Sequence, residues 1–352
     1  MVGTHTRDSR APTRAPVSEE APQPGSVYPL RPLGLNETFS AAMAVIRHSP
    51  KAALGVPFAA GAATLLITLL TSLVLPSPMN RLLADPAAYD DQELALAVMA
   101  DGAFLAVSMI IGFFASLLWL AAAALLITPA LRSGLGLRTS FGQTLRQPPA
   151  VWGRLALHLG LLTILLFLVA LIGTFVAVLI IAITMFIGAL FVVPAALLGT
   201  AWGITALIHA PLVIISERRG AFSAISRSLQ LNRGLWWRNM GAVSLLMFMV
   251  LVIVTAAAFP VGLLTGFAGA EPGAEGPDEG IAPWMMIGMH VVENAVSAVG
   301  MALAGAGAAM IHISSRIRQE ALDVRLSRAA ARTHHGEAAP SPAELAHAWR
   351  AP

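Results

Sequence analysis

Glu293 is the one acid inside a long apolar stretch of this sequence, and it has polar company. His290, Glu293, Asn294 and Ser297 follow i, i+3, i+4, i+7 spacing, which puts all four on one helix face. Glu293 lies nine residues after Trp284, about 13 Å along a helix axis, which predicts a position near the middle of a bilayer. A carboxylate there is costly unless it is paired or faces water. The face therefore reads either as a site for handling protons, cations or a lipid headgroup, or as a hydrogen-bonding seam between helices with Glu293 protonated. His158, His209 and His312 fall towards the same ends of three apolar runs. Three imidazoles could ligate a metal if those ends met, but nothing in the sequence shows that they do, and no metal site or cofactor is assigned. Arg218, Arg219, Arg227, Arg238, Arg316 and Arg318 form basic clusters that could clamp phosphate or an inner-leaflet headgroup, or simply set topology. The absence of cysteine excludes disulfides, thiolate ligands and a cysteine nucleophile. No nucleophile stands paired with a base, so no catalytic residue is expected.

The elements that must position these groups follow from composition. Hydrophobic residues make up 57% of the chain and charged residues 12%. That is about half the charge of a soluble domain, so lipid must cover much of the surface. Apolar runs of bilayer length predict spans at about 52–75, 102–128, 155–181, 188–215, 240–268 and 284–313. No Lys, Arg, Asp or Glu occurs from Leu155 to Ile215. That run is too long for one helix and predicts two, joined by a tight turn within Ile181–Gly188. Pro194, Pro211 and Pro260 should kink their spans. Gly300, Ala304, Gly305 and Gly307 offer small residues for close helix packing.

Orientation follows from where the cations lie. The segment through Lys51 has six, the loop 129–154 four, the loop 216–239 five and the C-terminal tail six. The first intervening loop has one, Arg81, and the loop 269–283 has none, while both are rich in acids such as Asp85, Asp90, Glu271 and Asp278. This alternation requires an even number of spans with both termini cytoplasmic. The basic excess is thus directed at anionic inner-leaflet lipids, not at nucleic acid. The polar, proline-rich residues 1–34 carry no apolar signal-peptide core and read as a disordered cytoplasmic tail. Residues 333–352 read as a flexible one. Arginine almost to the exclusion of lysine, with abundant Ala and Gly, points to a GC-rich bacterial genome and to the cytoplasmic membrane.

Each basic segment that precedes a pair of spans has a similar layout. Phe39, Met43 and Ile46 come before Pro50-Lys51. Phe141 and Leu145 come before Trp152-Gly153-Arg154. Phe222, Ile225 and Leu229 come before Trp236-Trp237-Arg238. The closing cation lies 12, 13 and 16 residues after its phenylalanine. The fold class expected is therefore all-α: a polytopic membrane protein of six transmembrane helices arranged as three hairpins, each preceded by a cytoplasmic interfacial amphipathic helix.

Around these units stand, in order, Tyr28-Pro29-Leu30-Arg31-Pro32-Leu33-Gly34-Leu35, then Glu217-Arg218-Arg219-Gly220-Ala221-Phe222 through Ser228-Leu229 with Trp237 downstream, then Arg316-Ile317-Arg318-Gln319-Glu320-Ala321-Leu322-Asp323-Val324. In these stretches the chain resembles the actinobacterial glycerophosphoryl diester phosphodiesterase membrane-domain family. The resemblance covers about residues 28–330. The family tends to place an aromatic and an acid before the final Arg-x-Arg, where this chain has His312 and Ser314-Ser315, and it prefers glycine where Ala321 stands. Some bacterial relatives fuse this module to a phosphodiesterase barrel needing a His-Arg pair and metal-binding acids. No such pair occurs here, and the stretch after Ile313 is short of the roughly 200 residues a barrel takes. The resemblance thus implies the membrane module without the enzyme. The expected role is a non-catalytic scaffold or lipid-associated accessory module. The alternative is a small transporter or lipid-handling protein using the Glu293 face.

Overall fold

A backbone in hydrocarbon can satisfy its hydrogen bonds only within a helix or a closed barrel, and the apolar runs of this chain fold as helices. The computed structural model describes residues 26–74, 91–184, 187–268, 283–334 and 344, and every regular element among them is helical. In chain order these are α1 (Leu35–His48), α2 (Pro50–Ala53), α3 (Gly55–Val74), α4 (Asp91–Leu125), α5 (Ile127–Ser133), α6 (Phe141–Leu145), α7 (Pro149–Ile183), α8 (Ala189–Leu207), α9 (His209–Glu217), α10 (Ala221–Asn232), α11 (Trp236–Ala268), α12 (Pro283–Glu320) and α13 (Leu322–His334). Among the described residues, six stretches are long and apolar enough to cross a membrane: Pro50–Thr71, Ala106–Ser133, Pro149–Ile183, Ala189–Glu217, Trp236–Pro260 and Ile287–Glu320.

The helices overrun the expected spans. α4 starts at Asp91 rather than near residue 102, and α12 runs on to Glu320 rather than stopping near 313. Hydrophobicity marks only the part that suits lipid, whereas a helix continues until its backbone meets a cap or a breaker. The charge-free run divides as its length requires, between the end of α7 at Ile183 and the start of α8 at Ala189, with turn geometry at Thr184, Ile187 and Gly188. There the Gly188 N–H donates to Thr184 Oγ1 at 2.8 Å. A Cβ at Gly188 would sit 2.4 Å from that oxygen, so the tight turn demands glycine.

Proline acts at three span ends in the same way. Helical geometry is interrupted at Leu54, Leu126 and Ile208, each three residues before Pro57, Pro129 or Pro211. A proline removes the N–H that would bond four residues back and crowds that carbonyl, so the preceding turn opens. Pro194 and Pro260, by contrast, lie inside uninterrupted α8 and α11.

α12 is the central element. It packs against α1, α3, α4 and α11, and its small residues permit close approach on two sides. A Cβ on Gly305 would fall 2.7 Å from the Ala123 carbonyl of α4, and one on Gly307 would fall 2.6 Å from Leu246 of α11. α7 and α8 are buried only near one end, where they meet α4, α9, α10 and α11. They touch each other, but α7 is buried only at Val151, Leu155, His158 and Leu159, and α8 only at Thr205 and Ala206. Between these points, side chains such as Phe175, Ile183, Leu190 and Phe191 are exposed. So much contiguous apolar surface requires lipid or another apolar cover.

α1, α6 and α10 occupy the three expected pre-span positions but sit differently. Phe39 is 8% exposed, Phe141 37% and Phe222 72%. The buried side of α10 is formed by Ala221, Ala224, Ser228, Leu231 and Asn232, so Phe222 and Leu229 face outward.

Candidate functional site

The segments around residues 26–33, 130–154, 205–239 and 312–320, far apart in sequence, interlock at one end of the bundle. Tyr28 is buried there, and its hydroxyl donates to the Ala130 carbonyl at 3.0 Å. Burial pushes its pKa up. The Val27 N–H donates to Ser133 O at 3.1 Å, and Leu30 and Leu33 are buried beside them. The tail expected to be disordered as far as residue 34 is thus packed from residue 26 onward, because two apolar residues and a tyrosine find a core. Residues 1–25 lie outside the described residues. Glu37 then fixes the start of α1. Its carboxylate accepts from the Gly34 N–H at 2.8 Å and from Arg31 Nη2 at 2.6 Å. Both hold its pKa below the usual carboxylate value, the backbone bond most.

Two carboxylates and three arginines form the charged heart of this end. Glu217, the last residue of α9, accepts from Arg219 Nε at 2.9 Å and from Arg227 Nη2 at 3.3 Å. Glu320, the last residue of α12, pairs with Arg227 and accepts from Arg316 Nε at 3.1 Å. Arg316 Nε also lies 3.7 Å from Glu217. Arg316 is only 2% exposed, a burial tolerable for a guanidinium because both neighbouring acids face it. Burial works against the charge on Arg227, and Glu217 and Glu320 outweigh it, so the Arg227 pKa is raised.

Beside this lies a neutral network. The break at Ile208 leaves carbonyls at the end of α8 without their ordinary helical donors. Asn232 Nδ2 donates to Thr205 O at 2.7 Å, and Ser228 Oγ donates to Ala206 O at 2.6 Å. Asn239 Nδ2 donates to Asn232 Oδ1 at 2.9 Å and to Ser315 Oγ at 3.2 Å, tying α10 and α11 to α12. Gln319 Nε2 donates to both Leu231 O and Arg233 O at 3.0 Å, capping α10.

His209 and His312 also meet here, both fully buried, with their Nδ1 atoms 3.3 Å apart. One must carry the Nδ1 proton while the other offers a lone pair. His158 shares no hydrogen bond or ring contact with either, and no group of three metal-binding side chains gathers among the described residues. Two of the three histidines are thus brought together and the third is not.

The Glu293 face has a different setting. His290 and Glu293 stand 3.8 Å apart, but the Glu293 side chain is 67% exposed. Asn294 donates to the His290 carbonyl of its own helix at 2.9 Å, and Ser297 is half-buried. The four residues share a face as spaced, but among the described residues none of them hydrogen-bonds to a neighbouring helix. The six arginines divide into groups. Arg219, Arg227 and Arg316 are held by acids. Arg218 ends α9 with a left-handed φ of 53°, and its carbonyl accepts from Arg154. Arg238 and Arg318 both donate to the Leu33 carbonyl.

Sequence reading assigned no role to Asn232, Asn239, Ser228 or Ser315. Their partners are mostly backbone carbonyls and residues of other elements, which leaves no spacing signal. Glu217 and Glu320 were visible, as acids inside basic segments, but only as parts of the resemblance. No family model, curated protein or solved structure matches the chain.

Proposed function

We propose that the chain is a non-catalytic multi-pass membrane module that acts as a scaffold or lipid-associated accessory protein in a bacterial cytoplasmic membrane. In this reading the six spans form three hairpins with interfacial elbow helices, and both termini are cytoplasmic. One observation carries it: the four arginine-rich segments, separated by apolar spans, meet at the same end of the bundle, joined by Tyr28 to the Ala130 carbonyl, Arg154 to the Arg218 carbonyl, Arg238 and Arg318 to the Leu33 carbonyl, and Arg227 to Glu320. An even number of crossings brings such segments to one side. The three stretches that resemble the phosphodiesterase membrane-domain family are among those that interlock, which supports reading the chain as a membrane module of that kind. The polar side chains of this end mostly bond to one another or to backbone, as expected of a structural joint.

The transport alternative rests on Glu293 and gains little. α12 has 38 residues, about 57 Å, nearly twice the hydrocarbon thickness of about 30 Å. With Arg316 in one headgroup layer, Glu293 lies about 34 Å away along the axis and reaches the opposite surface rather than the midplane. A carboxylate there is cheap to hydrate and needs no partner. The test is gentle purification in native lipid after in-cell cross-linking, alongside reconstitution into liposomes. A stoichiometric partner protein or a retained lipid supports the scaffold reading. Solute flux or lipid turnover by reconstituted protein that vanishes in Glu293→Gln overturns it.

A further inference from the structure

The geometry points to a phosphate clamp formed by Arg238 and Arg318 at the Leu33 carbonyl, which holds the headgroup of an anionic phospholipid. Arg238 stands at the start of α11 and Arg318 near the end of α12, and an Nη2 of each donates to the same Leu33 oxygen. The two nitrogens are therefore within two hydrogen-bond lengths of each other. A single neutral carbonyl cannot balance two guanidinium charges, and neither arginine has a carboxylate partner among the described residues. The nearby acid, Glu37, is already held by Arg31 and the Gly34 N–H. Each guanidinium has five N–H donors, so eight remain without an acceptor among the described residues. A tetrahedral phosphate offers several oxygens and at least one negative charge, and it can bridge two such forks.

The surroundings favour a lipid source. Arg318 is exposed and Arg238 half-buried, and the adjacent Trp237 is 79% exposed, as suits an aromatic at headgroup level. Below Arg238, Gly241, Leu245, Phe248 and Val252 continue along one side of α11 at i+3, i+7, i+10 and i+14, all exposed. A Cβ at Gly241 would meet nothing within 4 Å, which leaves an open notch and an apolar track for an acyl chain. The other arginine cluster is unsuited, because Glu217 and Glu320 already occupy Arg219, Arg227 and Arg316.

This inference rests on the basic end lying in the headgroup layer. Its test is native mass spectrometry of the detergent-purified full chain titrated with phosphatidylglycerol or phosphatidylcholine. In parallel, the melting temperature is followed against inorganic phosphate without lipid. Wild type should retain one phosphatidylglycerol in preference to phosphatidylcholine. Retention should fall about thirtyfold in Arg238→Gln/Arg318→Gln, at about 1 kcal/mol per arginine, and should be unchanged in Arg328→Gln/Arg332→Gln, which removes the same charge from α13. Gln can still donate to the Leu33 carbonyl. Should the double variant fail to fold, single Arg318→Gln should lose about fivefold. Stabilisation by inorganic phosphate that only the Arg238/Arg318 variants lose, without lipid preference, assigns the clamp to a soluble phosphate. Equal retention by all variants, or equal loss in both double variants, overturns the clamp. Thiol labelling of Ala331→Cys in the same double variant separates this failure from a failure of the membrane reading, because orientation should not change.

Discussion

At the scale of single residues, Ala321 occupies a backbone conformation that favours glycine. Its φ is 50°, in the left-handed region where a Cβ costs roughly 1–2 kcal/mol. Only there can α12 end and α13 begin in a new direction. Ala321→Gly should therefore stabilise the protein by about 1 kcal/mol after glycine's extra chain entropy is deducted, read as a raised midpoint in detergent unfolding. Arg316 makes the opposite case. Removing it leaves Glu217 and Glu320 with less compensation in a buried setting, and Arg316→Met should cost about 3–5 kcal/mol. A double variant that also carries Glu217→Gln should recover part of that loss, because fewer uncompensated charges remain. Glu37 adds a pH dependence of known sign. Its folded pKa lies below its ordinary value of 4.5, so its contribution is full above that value and is lost as pH falls through the lower folded pKa. An acid titration of stability should show this limb in wild type and a weakened one in Glu37→Gln.

At the scale of elements, packing around α12 depends on backbone approach. The Cβ of an alanine at 305 would press on the Ala123 carbonyl and Cα, atoms that cannot rotate away. Gly305→Ala should thus cost about 1–3 kcal/mol, whereas Gly199→Ala, with open space at its Cβ, should be neutral or slightly stabilising in its helix. Thermal stability of the two variants side by side decides this. The proline breaks work at the same scale. By opening α8 at Ile208, Pro211 frees carbonyls for Asn232 and Ser228, and that joint holds α10 against the end of span four. The repeated pre-span layout was legible as helices, but their depth was not. Phe39, Phe141 and Phe222 look equivalent in spacing, but burial depends on what each helix meets: α1 lies against α12, while α10 turns Phe222 outward.

At the scale of the whole molecule, the distribution of charge predicts orientation. With no native cysteine, single thiols at Ala88, Ala274 and Ala331 can be probed with an impermeant maleimide. The first two should label on intact cells, and Ala331→Cys only after permeabilisation. The reverse pattern would place the arginines outside. α7 and α8, buried only near the basic end, leave a long run of apolar side chains to lipid or to a neighbouring span.

The sequence by itself determined the helical class, the six spans, the turn within Ile181–Gly188 and the segregation of cations. These depend on local quantities: hydrophobic length, helix breakers and the placement of charge. Only the tertiary structure decided which arginines are neutralised by Glu217 and Glu320, that His209 meets His312 without His158, that residues 26–34 are packed, and that the Glu293 side chain is mostly exposed. Those outcomes depend on contacts between residues up to about 285 positions apart, such as Arg318 and Leu33. No periodicity within one segment encodes a partner in another, because a buried polar group takes the nearest group that can satisfy it.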